Sequence, residues 1–222
     1  MADRVKPRRY DSPRRREQAA ATRREILAAA QRLFERQGYA ATTMAAIAAE
    51  AGVALKTVYV AFETKSGLLR ALWHLLLRGD EADVPVGDRD WYRRVVEERD
   101  PRRQIELTAR NSRLVKERAA ALMRVIRNAA TADADIAALW GRIQSDFHDN
   151  QRTIVAALAK NARLRDGLDV DRAADILWTL NHPDTWLLLV AERGWAPEEW
   201  ERWFAATVAE QLLAPAPPKR RR

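Results

Sequence analysis

Apolar residues recur along most of this chain at intervals of three and four, the spacing that lines one face of a helix. The first clear stripe is Ile26, Leu27, Ala30, Leu33 and Phe34. Thr22-Arg23-Arg24-Glu25 ahead of it has the form of a capping box, and Gly38 behind it is placed to end the helix in a left-handed conformation. Thr42-Thr43 supplies hydroxyl caps for a shorter helix reaching about Ala51, with Ile47 and Ala48 facing inward. Gly52-Val53 interrupts it. A third helix is predicted over Ala54 to Phe62, with Val58 and Phe62 inward, and a fourth from near Lys65 carrying Leu68, Leu69, Leu72, Trp73 and Leu76. Gly79 to Asp90, with Pro85 and Gly87, reads as a loop.

Longer helices follow. Asp100-Pro101 is a cap with proline at the first helical position, opening a run to about Ala130. Asp133 or Asp135 starts another that ends near Asn161. Asp169 caps a helix predicted to continue to about Glu192, with Gly194 as its terminator. Pro183 must break or kink it, which would leave the Thr179 carbonyl without its usual partner. Pro197-Glu198-Glu199 opens a last helix to Leu213. No alternating strand pattern of useful length and no internal repeat interrupts this series. The expected fold is all-α, with about nine helices.

Composition sharpens the picture in two places. The net charge of +8 is concentrated at the ends: residues 1–16 carry +5 and the last four residues +4, so 17–218 is close to neutral. Basic tails of this kind attract polyanions, because neutralising phosphates releases condensed counterions. The 222 residues contain no cysteine, which excludes disulfides, thiolate metal sites and cysteine nucleophiles and fits a reducing cytoplasm. No apolar run approaches the roughly 20 residues that span a bilayer, and no apolar core follows the basic N-terminus as a secretion signal requires. The expected organisation is a disordered basic arm (1–18), a first helical segment (19–66), a longer helical segment (67–213) and a disordered basic tail (214–222).

The chemistry lies between Thr43 and Phe62. Two short helices around a glycine turn form a helix-turn-helix, whose second helix can enter the major groove. Ile47, Val53 and Val58 would pack inward, leaving Lys56, Thr57 and Tyr59 on the outer side to meet phosphates or base edges. Gly38-Tyr39-Ala40-Ala41-Thr42-Thr43-Met44-Ala45-Ala46-Ile47-Ala48-Ala49-Glu50-Ala51-Gly52-Val53, then Thr57-Val58-Tyr59, Phe62, Lys65 and Leu68-Leu69, resembles the signature of the tetracycline-repressor-like (TetR) family. The resemblance covers about residues 22–72. It implies a dimeric regulator, usually a repressor, that binds a palindromic operator and responds to a small molecule, with 19–66 as its DNA-binding domain and 67–213 as its helical ligand-binding and dimerisation domain. It further implies phosphate contacts from Thr43, Thr57, Tyr59 and Lys65, and base selection by Leu55, Lys56 and Val60. Two positions depart from the family pattern. Ala54 stands where a Ser or Thr usually caps the third helix, and Val60-Ala61 replaces commoner His/Tyr-type residues, which suggests a methyl-reading contact at thymine. The Arg-rich arm admits two readings, a minor-groove contact or a solvated tail.

Behind this segment, the last two long helices carry more apolar face than one small domain needs. The resemblance implies that they pair with a second subunit, through Ile176, Leu180, Leu187 and Leu188 on one and Trp200, Trp203, Phe204 and Val208 on the other. Trp73 lies on the fourth helix, the candidate lever between ligand and DNA. A ligand pocket is expected around Trp73, Met123, Trp140, Phe147 and Trp178, with His148, Asn181 and His182 as polar groups. No metal spacing links His74, His148 and His182, and no glycine-rich phosphate loop or Gly-x-Ser-x-Gly elbow occurs. The chain is therefore expected to be no enzyme and to hold no metal or cofactor. The rival reading is a helical scaffold that binds protein and has no sequence preference on DNA.

Overall fold

The computed structural model describes residues 13–80, 82 and 84–215. Its contacts divide the chain into two compact units, with the division between Leu72 and Trp73. The first unit holds α1 (Pro13–Ala41), α2 (Met44–Glu50), α3 (Leu55–Phe62) and the first half of α4 (Lys65–Arg78). That division falls inside α4, six residues past the expected 66/67 boundary, and Leu68, Leu69 and Leu72 ahead of it are all buried.

α1 begins nine residues ahead of the expected Thr22 cap. Pro13 is suited to a helix start, and Arg14 to Ala21 are strong helix formers, so residues 13–18 join the helix instead of the arm. The remaining arm residues (1–12) and the end of the tail (216–222) lie outside the described residues. Gly38, at φ 80° and ψ 173°, breaks α1 as its sequence position suggests. The stripe Ile26, Leu27, Ala30, Leu33 and Phe34 is buried throughout.

The second unit contains a 3-10 turn (Val86–Asp88), α5 (Asp90–Glu97), α6 (Pro101–Ala129), α7 (Ala134–Asn161), α8 (Val170–Leu180), α9 (Pro183–Trp186, running on as a π-helix over Leu187–Glu192) and α10 (Pro197–Leu212). α5 was not expected; it buries Tyr92 and Val95 against α6 and α7. Asp100, Asp133 and Asp169 cap α6, α7 and α8 through their carboxylates. The core joins Ile105 and Ala109 of α6, Val155 and Leu158 of α7, Ala173 and Leu177 of α8, and Trp200, Phe204, Val208 and Leu212 of α10. Trp200 stacks on Phe204 at 4.9 Å and meets Trp186 edge-on at 5.2 Å.

The helix expected from Asp169 to Glu192 is divided. α8 stops at Leu180, and Pro183 starts a new helix as its first residue, with His182 as cap. The Thr179 carbonyl is not orphaned, because the His182 amide donates to it at 3.2 Å. The tail also begins later than expected: Ala214 donates to the Arg163 carbonyl at 3.0 Å, beside an isolated antiparallel bridge between Leu164 and Leu213. Among the described residues, no single helix is long and apolar enough to cross a membrane, and no cluster of His, Asp and Glu is disposed to hold a metal ion.

Candidate DNA-binding surface and ligand cavity

The chain turns through 112° between α2 and α3, within the range of helix-turn-helix units. The turn is a Schellman closure. Gly52 takes φ 67°, its amide donates to the Ala49 carbonyl, and the Val53 amide donates to the Ala48 carbonyl. Thr43 caps α2 by accepting from the Ala46 amide at 3.0 Å. Ala54, by contrast, gives α3 no side-chain cap.

Three clamps hold the helix-turn-helix within this unit. The Arg23 guanidinium donates to the Ala61 carbonyl at 2.9 Å and lies 4.2 Å over the Phe62 ring. Arg32 pairs with Glu50 at 2.9 Å. Val58 and Phe62 are buried beneath. On the opposite side of α3, Leu55 (42%), Tyr59 (48%) and Val60 (77%) are exposed, as is Lys56; Thr57 is half-buried. The side chains expected to meet DNA, apart from Lys65, therefore share the outer part of α2–α3.

Lys65 is placed otherwise. Its ammonium donates to the Tyr39 carbonyl at 2.8 Å and the Thr42 carbonyl at 3.0 Å, and lies 4.1 Å over the Tyr39 ring. It adds a second partner to the Tyr39 carbonyl, which also accepts from the Thr42 amide at 3.3 Å, and bonds the Thr42 carbonyl just past the end of α1. Two of the ammonium's three donors are thus used within the unit, at the residue for which the resemblance implies a phosphate contact. Sequence spacing put the residue at a helix start but could not show that its stem folds back over Tyr39.

In the second unit a cavity of about 130 Å³ lies among α4, α5, α6 and α7. One face of α6 lines it, through Thr108, Ser112, Val115, Lys116, Ala119 and Met123, positions three or four apart. Trp73, Trp91, Tyr92, Ile143, Phe147 and Ile154 supply most of the apolar wall. At its polar corner the Lys116 ammonium donates to Asn181 Oδ1 at 2.5 Å, Asn181 Nδ2 donates to Gln151 Oε1 at 3.1 Å, and Gln151 Nε2 donates to the Phe147 carbonyl at 3.3 Å. Lys116 is only 6% exposed, and burial pulls its ammonium down from 10.5 to about 7. Burial also raises the Tyr92 phenol, and lowers His182.

Comparison with known proteins places these two features in one family. Residues 26–72 match the family of bacterial regulatory proteins, tetR family. Over 167 residues the chain is 30% identical to ArpR of Pseudomonas putida, a probable HTH-type transcriptional regulator, covering 72% of this chain and 77% of that one.

The chain belongs to the tetR family.

Solved structures agree on the fold. A choline complex of a transcriptional regulator from Saccharomonospora viridis superposes with TM-score 0.67 at 18% identity, covering 88% of this chain and all of that one. NalD of Pseudomonas aeruginosa, the secondary repressor of the MexAB-OprM multidrug efflux pump, does so with TM-score 0.65 at 20% identity, covering 88% and 98%. This tetR-family chain is thus a transcriptional regulator whose N-terminal helix-turn-helix is its DNA-binding element.

The expected pocket residues divide. Trp73, Met123, Phe147 and Asn181 line the cavity, whereas Trp140, His148, Trp178 and His182 do not. Trp178 instead sits between two histidine rings, 6.4 Å from His148 and 5.3 Å from His182, and His148 Nε2 is 3.0 Å from Asp175 Oδ1. Lys116 and Gln151 were missed. Lys116 stands in the charged run Lys116-Glu117-Arg118, which reads as solvated, yet it is four residues before Ala120 and seven before Met123, both buried.

The expected dimer residues divide as well. Trp200, Phe204 and Val208 are at most 1% exposed and form this chain's own core, so they are withdrawn as interface residues. Aromatic residues at helical spacing pack inward first, and only coordinates show which face is spent that way. Ile176, Leu180, Leu187 and Trp203 are half-buried, and Leu188 is 53% exposed. Those five keep apolar surface on the outside.

Proposed function

We propose that this regulator is a homodimeric, ligand-responsive repressor of a palindromic operator, acting as a binder and not as an enzyme, and working in the cytoplasm where its DNA is. One observation carries the reading: a single chain holds an outward-facing recognition helix and, in its other unit, a largely apolar cavity with one polar corner. Leu55, Lys56 and Val60 would read base edges, with the Val60 methyls suited to thymine, while Thr43, Thr57 and Tyr59 meet phosphates. The partly exposed Ile176, Leu180, Leu187, Leu188 and Trp203 would pair two copies, so that two α3 helices reach major grooves about 34 Å apart. α4 supports the coupling, since it is one continuous helix that begins at Lys65 and carries Trp73 and Leu77 into the cavity wall. The choline complex of the Saccharomonospora viridis regulator supports a small-molecule effector.

Selection of bound fragments from a random DNA pool tests this. The expected result is an inverted repeat whose preference changes with Lys56→Ala and whose binding weakens for all sequences with Tyr59→Ala. Binding without sequence preference, unaffected by Tyr59→Ala, would favour a scaffold. A monomer at the concentrations that occupy DNA would remove the palindrome, and turnover of a cavity-bound compound would remove the binder.

A further inference from the structure

The cavity's polar corner specifies the chemical class of its ligand. The amide chain from Phe147 through Gln151 and Asn181 runs in one direction, each group donating toward Phe147, and Lys116 heads it as a pure donor. Lysine carries three N–H donors. One goes to Asn181, and the nearest aromatic face is Trp200, 4.8 Å from the ammonium. Among the described residues no carboxylate forms an ion pair with Lys116. The charged groups around it are accounted for: Arg113 on the same helix pairs with Glu117 and, on α10, Glu201; Arg127 and His182 face Asp184 of α9; and Asp146 of α7 lines the cavity while itself exposed to solvent.

A buried cation without an anion is costly, and a ligand that brings the anion removes that cost. We propose that the cavity takes a compact aromatic or apolar molecule bearing one acidic oxygen group, a carboxylate or phenolate, held by Lys116 with Asn181 orienting the ammonium. This deepens the ligand-responsive reading above and rests on it. The volume of about 130 Å³ suits such a molecule, since an apolar cavity of about 150 Å³ accepts a benzene ring. Trp91, Phe147 and Met123 would flank its ring, and a cationic ligand would meet Lys116 as a like charge.

The experiment uses the full chain and calorimetric titration at near-neutral pH with benzoate, salicylate and 4-hydroxybenzoate, their uncharged amides, and choline. The acids are expected to bind about tenfold or more tightly than the amides, the scale of a charge-assisted hydrogen bond, and choline not at all. Lys116→Met and Lys116→Gln, each checked by thermal unfolding, should erase the preference while still admitting the amides. In the wild type, titration at pH 8 in buffers of different ionisation enthalpy should show proton uptake with the acids, which a merely structural lysine would not produce. Equal affinity for acids and amides, undiminished benzoate binding by both variants, tighter binding of choline, or no binding of any probe at millimolar concentration would overturn the proposal. DNA selection is read independently, so failure here leaves the operator reading standing, and failure there leaves this one.

Discussion

Replacing Lys116 by methionine should make the ligand-free protein more stable near neutral pH, and should make it lose that advantage in alkali. The unfolded chain keeps the lysine proton up to about 10.5, whereas the folded chain gives it up near 7. Between those values the unfolded state binds more protons, so the wild type gains stability as pH rises through that window, and carries the full cost of the buried charge below it. Taken at face value the displacement corresponds to about 5 kcal/mol, and relaxation around the ammonium brings the expected cost to a few kcal/mol. Methionine has similar length and no charge, but it strips Asn181 Oδ1 of its donor, a loss of roughly 1–3 kcal/mol. The two terms oppose, so the variant should be the more stable by roughly 1–3 kcal/mol near pH 7, with the order levelling or reversing by pH 10. All 8 tryptophans lie at residue 73 or beyond, so the urea dependence of their fluorescence follows the cavity-bearing unit alone. Tyr92, raised by burial, adds a slope of its own that the difference between wild type and variant removes, whereas His182, lowered by burial and also by the nearby Lys116 charge, is partly released in the variant and adds a smaller slope below neutrality. Parallel pH profiles for the two proteins would refute the reasoning.

Three further outcomes follow from the first unit. Ala54→Ser should stabilise the helix-turn-helix by about 1 kcal/mol, since Ala54 already has extended backbone geometry (φ −68°, ψ 142°) and lacks only the acceptor; thermal unfolding by circular dichroism checks it, and a loss would count against the cap. Gly67→Ala should cost roughly 1–3 kcal/mol in the same assay, because the new Cβ would stand 2.6 Å from the backbone carbonyl oxygen of Phe62, which has no side-chain freedom to yield. Lys65→Met should lower the melting temperature by exposing the Tyr39 and Thr42 carbonyls to lost bonding, yet leave the slope of log affinity against log salt on operator DNA unchanged. A slope reduced by about one would mean that Lys65 spends its charge on phosphate after all.

The first unit was largely legible because its determinants are local. Thr43 caps, Gly38 and Gly52 terminate, and Val58 and Phe62 repeat at an interval of four, all within one short stretch of chain. What local reading could not supply there was reach. Lys65 travels back over twenty residues to find its acceptors, and the helix formers from Arg14 to Ala21 outweighed the capping box at Thr22, since a cap adds about 1 kcal/mol while a continued helix is extended at little cost per residue.

The second unit was legible as helices but only in part as a site, since Trp73, Met123, Phe147 and Asn181 line the cavity and the other expected residues do not, and the reason is that burial there is decided by several elements at once. Trp200 and Trp203 are three residues apart on α10 and look alike in sequence, yet the first is enclosed by Trp186 and Phe204 while the second remains half-buried beside Trp195. Asn181 was expected at the pocket, but not its partners. It reaches Lys116 and Gln151 because α8 ends at Leu180 and the proline two residues later begins a new helix, leaving two residues free to turn a polar side chain inward. That break also explains how the corner is held without strain: the backbone groups freed there are taken up by the His182 amide on Thr179 and by the Thr185 hydroxyl beside Leu180 and His182, so the Asn181 amide is spared for the ammonium. A continuous helix through residue 192 would have carried Asn181 on a fixed rotation and spent the inward position on packing. The amide that meets the lysine is therefore placed by the proline two positions past it, and a ligand acting on Lys116 acts on a joint between helices, where a small gain in bonding can shift which arrangement is favoured.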